Sequence, residues 1–510
     1  MAKKTMFGGM IARWQTPLGL LGLVILAAFM RFWKFTELPP GLATTEARLG
    51  LTVQAFIHHG MLPGYTLADG YSPLLVLLQA LPVQALGATT WSLRIVPALI
   101  GISAVLAVWL WARSWFGIRV AWVAAFLLAV TPWAVTIARS GSAASLMPLL
   151  VPLTFWLVTT SYRRGRVWTW VASGMVLGLD LLAGPLGWGT VGLVILACLT
   201  WVAMRRRMPQ WTSGRAVAFV IAIILAALAG YLAGRLPSGV TTLPAQLGLP
   251  AGASQLIAAV GAGLLMFNIR GDAHFQHNLG GEPLFNVFIG LMFITGILVS
   301  MSRINGNRYR RLLVAFVAFM VPVFLSVNSA PDSYRAAAVL PVAMIMAAIG
   351  VSYLLGIWNS TFPINSAARA SGLTAVVFLL GLSFFQGYTQ YFHAWAGSAE
   401  TYAAYNADVV GAARYANDLK PEPGTKHYVV AASDETPVAL FLLKPGTMVV
   451  SPDAFKILPI TTGTYEFMIT LAARDAVKGV LVDKYPGANL VPHFSAFNDS
   501  DSYYVDKVTK

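Results

Sequence analysis

The residues able to do chemistry fall into a few short stretches. In LPPGLATTEARLGL, Leu38 to Leu51, Glu46 is the only acid, with Thr44 and Thr45 before it and Arg48 after it. A carboxylate so placed can take a proton from a hydroxyl, or simply pair with Arg48. A second stretch, NIRGDAHFQHN, holds Arg270, Asp272, His274, His277 and Asn278, with Glu282 just beyond. His274 and His277 are three apart and could share a helix face as metal ligands. No third ligand is fixed by spacing, so polar loop residues that hold substrate or order the loop are the simpler reading. Arg335 in PDSYRAAAVLP and Arg139 in IARSGSAASLMP carry guanidinium groups that suit a phosphate. Arg335 could equally pair with Asp332, and Arg139 could anchor a helix end by snorkelling. Asp69 precedes GYSPLLVLLQ. Asp180, in LGLDLLAGPLGWG, is the one acid in a strongly apolar run. It needs a partner or a proton, as a second site acid or as a helix-end residue.

The elements that must position these groups are membrane helices. The chain has 510 residues, 57% hydrophobic and 11% charged, and a mean hydropathy of +0.68. A soluble protein would carry about twice that charged fraction. Apolar runs bounded by Arg clusters predict eleven spans, at 17–35, 91–112, 119–138, 143–161, 167–183, 185–203, 216–235, 284–301, 311–327, 336–357 and 371–389. The first is expected to be retained, because no small-residue cleavage site follows it. With a cytoplasmic N-terminus the inner turns hold seventeen Lys and Arg, from Lys3 to Arg369, and no acid. The positive-inside rule then accounts for the net charge of +15, and no nucleic-acid partner is needed. The single cysteine, Cys198, excludes a disulfide framework.

On this topology the seven acids before residue 390 all lie outside or near the outer end of a span. Two outer connections are long, 36–90 and 236–283. The apolar part of the second, Ser254 to Phe267, is short for a span and reads as a surface or re-entrant helix. Composition changes near 390. NADVVGAARYANDL has helical spacing, HYVVAA, KGVLVDKY and SYYVDKV read as strands, and TPVALFLL fits either. The expected architecture is an α-helical polytopic membrane domain, 1–390, and a small extracytoplasmic α/β domain, 391–510, in the plasma membrane.

The order LPPGL..TEA..G, YSPLLVLLQALPVQALG, SLRIVPALIGISAVLAVWLWARSWFG and TPWAVTIARSG, continued by FNIRGDAHFQHNLGGEPLF and SAPDSYRAAAVLPVAMIMAAIG, resembles the GT-C membrane glycosyltransferases. The likeness is to the branch of protein O-mannosyltransferases and lipid A aminoarabinose transferase, and covers residues 17 to about 390. It implies an inverting transfer of sugar from a polyprenyl-phosphate carrier to an extracytoplasmic protein, lipid or glycan. It also implies membrane lipids as partners, and no certain cofactor beyond a possible divalent metal at His274 and His277. The family's first outer loop usually carries Asp-Glu; here Thr45 takes the Asp position and Glu46 matches the Glu. Many members have an acid shortly after the Arg at 139, where this chain has Ser140, Ser142 and Ser145. The resemblance therefore makes Glu46 and Asp180 the candidate catalytic acids, and Arg335, Arg270 and Arg139 the candidate phosphate ligands. Thr45, Asp69, Asp272, His277, Asn278 and Glu282 would line the substrate. A GT-C-fold protein that has lost its chemistry and serves as a membrane binding or assembly subunit is the alternative. A transporter fits less well, for want of an inverted repeat and of ionisable residues at span centres.

Overall fold

The structure, a computed structural model, describes residues 2–60, 72–184, 252–325, 331–420, 422–458, 463–484, 488–494 and 501–509, with scattered positions from 187 to 228. Asp69 and most of the spans expected at 185–203 and 216–235 lie outside the described residues. The chain forms two compact units. One comprises Met1–Trp33, Met61–Leu75 and Arg94–His393; the other comprises Lys34–Gly60, Val76–Leu93 and Ala394–Lys510.

In chain order the first helices are α1 (Ala2–Phe32), α2 (Thr44–His59), α3 (Pro73–Leu86), α4 (Thr90–Phe116), α5 (Ile118–Val130) and α6 (Pro132–Ala138). They are followed by α7 (Met147–Arg164), α8 (Val167–Leu182), α9 (Ala253–Leu265), α10 (Val287–Ser302), α11 (Asn307–Phe324), α12 (Leu340–Thr361) and α13 (Ser366–Thr389). Among the described residues four helices are long and apolar enough to cross a membrane: Thr90–Phe116, Ala143–Arg164, Leu340–Thr361 and Ser366–Trp395. This is a membrane protein.

The run expected as one span at 119–138 is two helices, α5 and α6, bent by 64°. Pro132 stands at the first position of α6 and has no N–H to give to the carbonyl of Leu128. The bend also leaves the Ala129 carbonyl at a helix end. Arg31, near the end of α1, fills both vacancies: its guanidinium donates to the Leu128 oxygen at 3.0 Å and to the Ala129 oxygen. Arg139, at the C-cap of α6, returns the service. It donates to the carbonyls of Met30 at 3.3 Å and Trp33 at 2.8 Å, where α1 ends. Its guanidinium lies over the rings of Tyr391 and Phe392. Each cation thus meets the negative end of a helix dipole.

In the second unit, α14 (Ala407–Asp418), β1 (Thr425–Val430), α15 (Thr436–Leu442), β2 (Thr447–Val450), β3 (Thr464–Thr470), α16 (Leu471–Lys484), β4 (Val491–Phe494) and β5 (Asp501–Thr509) make the α/β part. The sheet order is β2-β1-β3-β5-β4, with β1 parallel to β2 and β3, and β5 antiparallel to β3 and β4. One sheet face buries Tyr428, Val430, Phe467 and Ile469 against Val477 and Leu481 of α16. The strand expected in KGVLVDKY is therefore a helix. Ala473, Val477 and Leu481 are buried at four-residue spacing, and that periodicity outweighs the strand propensity of the short Val-Leu-Val run. TPVALFLL, open between helix and strand, is α15, whereas HYVVAA, SYYVDKV and NADVVGAARYANDL adopt the expected elements. The loop helix α2 belongs to this second unit, and buries Glu46, Ala47, Leu49, Gly50 and Val53.

Candidate active site

The densest polar constellation among the described residues is centred on Asp272, in the connection between α9 and α10. The connection is closed on itself: the Gly281 N–H donates to the Asp272 carbonyl at 2.9 Å. The Asn278 amide donates to the carbonyls of Asp272 and Glu282. The Asp272 carboxylate is completely buried and accepts four hydrogen bonds. Oδ1 receives the backbone N–H and Nδ1 of His274, both at 2.9 Å. Oδ2 receives Nδ1 of His277 at 2.9 Å and the backbone N–H of Ser333 at 2.8 Å. Two oxygens with four lone-pair sites are thereby filled.

Burial alone would raise the Asp272 pKa. The hydrogen bonds from His274 and His277, the charge of His277 and the Ser333 N–H together overcome it and hold the group well below the usual carboxylate range. Hydrogen bonding to Asp272 raises the pKa of His274 against a smaller opposing effect of burial. Because Nδ1 of each ring faces the carboxylate, the neutral rings carry their proton there, leaving the Nε2 lone pairs available.

A second segment, just before α12, supports the first. Asp332 Oδ1 accepts the N–H groups of Tyr334 at 2.9 Å and Arg335 at 3.0 Å, which starts the short 3-10 turn Arg335–Ala338. Asp332 Oδ2 lies 3.3 Å from Nε of Arg335. The Tyr334 ring stacks on His277 with centroids 3.9 Å apart, and its hydroxyl donates to the Gln276 carbonyl at 3.2 Å. Trp133 Nε1 holds the Ser333 carbonyl at 3.0 Å, tying α6 to the same turn. The structure thus joins Asp272, His274, His277, Asn278 and Arg335, five residues singled out from sequence. It adds Asp332, Ser333 and Tyr334 as their support. The Asp-x-x-Arg spacing of 332 and 335 was the only local signal for that turn.

The remaining candidates stand elsewhere. Arg270 and Glu282 are exposed at the two ends of the same connection. Arg139 is fully buried and engaged by the carbonyls that end α1. Asp180 is fully buried in a polar seam between α7 and α8, where Thr154 donates to its Oδ2 at 2.8 Å, and the Ser161 and Ser173 hydroxyls meet at 2.9 Å. In the second unit Thr45 is exposed on the first turn of α2, while Glu46 beside it is 3% exposed.

Asp272, His274 and His277 offer ligand atoms that lie within 4.8 Å of one another. Two imidazoles and a carboxylate are a donor set of the kind that holds a divalent ion such as zinc.

A family profile described as dolichyl-phosphate-mannose-protein mannosyltransferase matches residues 71–233. A Bacillus subtilis protein named for mannosyltransferase activity, YkcB, is 24% identical over 163 residues, 31% of this chain. The match spans only 23% of that relative's length. Among solved structures, ArnT from Cupriavidus metallidurans bound to undecaprenyl phosphate aligns over 98% of both chains, with a TM-score of 0.56 and 14% identity. The Archaeoglobus fulgidus oligosaccharyltransferase AglB, in complex with an inhibitory peptide and a dolichol-phosphate, aligns over 85% of this chain and 64% of its own, with a TM-score of 0.51 and 16% identity. The same archaeal enzyme in complex with zinc and sulfate gives 0.52 at 14% identity, over 95% of this chain and 72% of its own. At such identities the likeness is one of fold.

Proposed function

We propose, from the premise that this chain has the GT-C glycosyltransferase fold, that it transfers a sugar from a polyprenyl-phosphate carrier to an acceptor hydroxyl with inversion. The acceptor is a protein, lipid or glycan on the outer side of the plasma membrane, and the N-terminus is cytoplasmic. The observation that carries the reading is the fold-length likeness to a structure holding undecaprenyl phosphate. A lipid-borne donor also suits a site at the ends of membrane helices rather than in a soluble domain.

In this reading Glu46 takes the proton of the acceptor hydroxyl as its oxygen bonds to the anomeric carbon. The bond from that carbon to the carrier phosphate breaks, and the phosphate leaves with the electron pair. Arg335 and Arg270 are the candidate partners for that charge, since guanidinium pairs with phosphate through two parallel hydrogen bonds. A divalent ion on His274 and His277 would add Lewis-acid stabilisation of the same charge. Asp272 and Tyr334 orient the two rings.

Purified protein in proteoliposomes should transfer sugar from a polyprenyl-phosphate donor. Glu46→Gln should reduce turnover by about 10²–10⁴-fold, the usual contribution of a general base. Unchanged turnover in that variant removes Glu46 from the mechanism.

The second reading, a binding or assembly subunit without chemistry, has one specific support: Thr45 takes the position where the resemblance puts an acid, and the stretch after Arg139 offers Ser140, Ser142 and Ser145 but no acid. Stable co-purification with membrane partners, with neither transfer nor hydrolysis of any carrier-linked sugar, would select it.

A further inference from the structure

The helix that carries Glu46 begins without a side-chain cap. Its N-cap is Ala43, which has no oxygen to offer the first turn. The turn is instead tied to residues nearly four hundred positions away. The Leu42 N–H donates to the Tyr405 carbonyl, and the Asn406 amide donates to the Leu42 carbonyl at 3.0 Å and to the Thr44 hydroxyl at 3.3 Å. The Thr44 hydroxyl in turn donates to the Asp434 carbonyl at 3.1 Å. Asn406 adopts a left-handed backbone (φ 47°), a conformation asparagine tolerates better than most residues. That conformation aims its amide at both acceptors.

Close packing repeats the tie further along. A side chain at position 41 would strike the Tyr405 carbonyl at 2.1 Å, and one at position 50 would strike the Phe441 ring at 2.6 Å, so Gly41 and Gly50 let the two segments touch. Phe441 itself is fully buried in α15. Gln54 also reaches the Phe441 carbonyl, at 3.5 Å. Every one of these residues belongs to the second unit.

We infer that the C-terminal α/β domain is the positioning device for Glu46, with Asn406 and Thr44 as positioning residues that set the first turn of α2. The inference rests on the role given to Glu46 above. It makes the tail part of the transfer machinery. A displacement of about 1 Å in a base can cost on the order of 10²-fold in rate, so loosening the turn should lower kcat while leaving donor binding intact.

The test uses the full-length protein with Asn406→Gly, Thr44→Val and Thr44→Ser. Asn406→Gly keeps the left-handed backbone accessible and removes only the amide; Thr44→Val keeps the shape and removes the hydroxyl. The expected result is faster amide hydrogen exchange across residues 42–50 in both, with kcat lowered about 10–100-fold and an unchanged KM for the donor. Thr44→Ser should restore both readouts, which a purely steric role for Thr44 would not predict. Unchanged exchange in Asn406→Gly and Thr44→Val overturns the inference, whatever the activity. Faster exchange with wild-type kcat, while Glu46→Gln is inactive, also overturns it and leaves the role of Glu46 standing. If Glu46→Gln retains turnover, it is the assignment of Glu46 that fails.

Discussion

Asp272 shows how much a single residue can organise, and how little of that its neighbours in sequence reveal. The spacing of His274 and His277 marked a pair of rings. It did not say that one carboxylate holds both by Nδ1, nor that the fourth donor is the Ser333 N–H, 61 positions along. A long-range contact of this kind leaves no periodic trace, so the loop looked like scattered polar residues. Asp272→Asn keeps the shape but replaces one acceptor oxygen with an NH₂ that faces donors. Leaving the buried Ser333 N–H or the half-buried His277 ring without its acceptor should cost about 1–3 kcal/mol. The variant should melt at a lower temperature in detergent, and its turnover should fall about 10–100-fold, as when the orienting carboxylate behind a ligand is lost. Wild-type melting and wild-type turnover together would show that the four hydrogen bonds hold nothing in place.

At the scale of elements, the presence of membrane helices was legible because long apolar runs are strong, local signals, and four of them are helices long enough to span among the described residues. What the pattern could not show was a break inside a run. A single proline barely lowers the hydropathy of so apolar a run, and the bend that Pro132 marks is stabilised by Arg31, a residue from another helix. Arg31→Met should leave the Leu128 and Ala129 carbonyls without donors in apolar surroundings, at about 1–3 kcal/mol per group. Thermal unfolding followed by fluorescence-detected gel filtration should show a clear drop. Stability equal to wild type would mean that the bend does not depend on the cap. In the tail, KGVLVDKY misled because three β-prone residues hide a four-residue spacing that begins upstream at Ala473. Short apolar runs carry both signals, and only packing chooses between them.

For the whole molecule, the fold class could be read from sequence, and the assembly of α2 with the tail could not. Residues 42 and 406 are distant in the chain, and neither TTEA nor YNAD announces a partner. The tethers are flanked by two acids in unusual surroundings. Burial raises the pKa of Asp408, two residues after Asn406, against hydrogen bonds that include one from the Leu471 N–H. Burial likewise raises that of Glu435, beside Asp434, helped by the charge of Asp408, despite hydrogen bonds from Thr470 and the Ala432 N–H. A carboxyl whose pKa is higher folded than unfolded retains a proton that the unfolded chain has already released. Stability therefore falls as pH rises from the ordinary carboxylate range through the raised folded value. Glu435→Gln should melt higher than wild type at neutral pH, with the gap closing in acid; a gap that persists in acid would point to packing instead. A different consequence follows from the reciprocal arginines. Arg31 is synthesised 97 residues before Leu128, and Trp33 precedes Arg139 by 106. During translation the end of α1 therefore reaches the bilayer unfinished: neither the carbonyls that Arg31 serves nor the Arg139 that serves Met30 and Trp33 has yet been made. A nascent chain arrested before residue 128 would leave the Arg31 cation and the carbonyls of Met30 and Trp33 without these partners, so quality control in the membrane should recognise the truncated chain as incomplete.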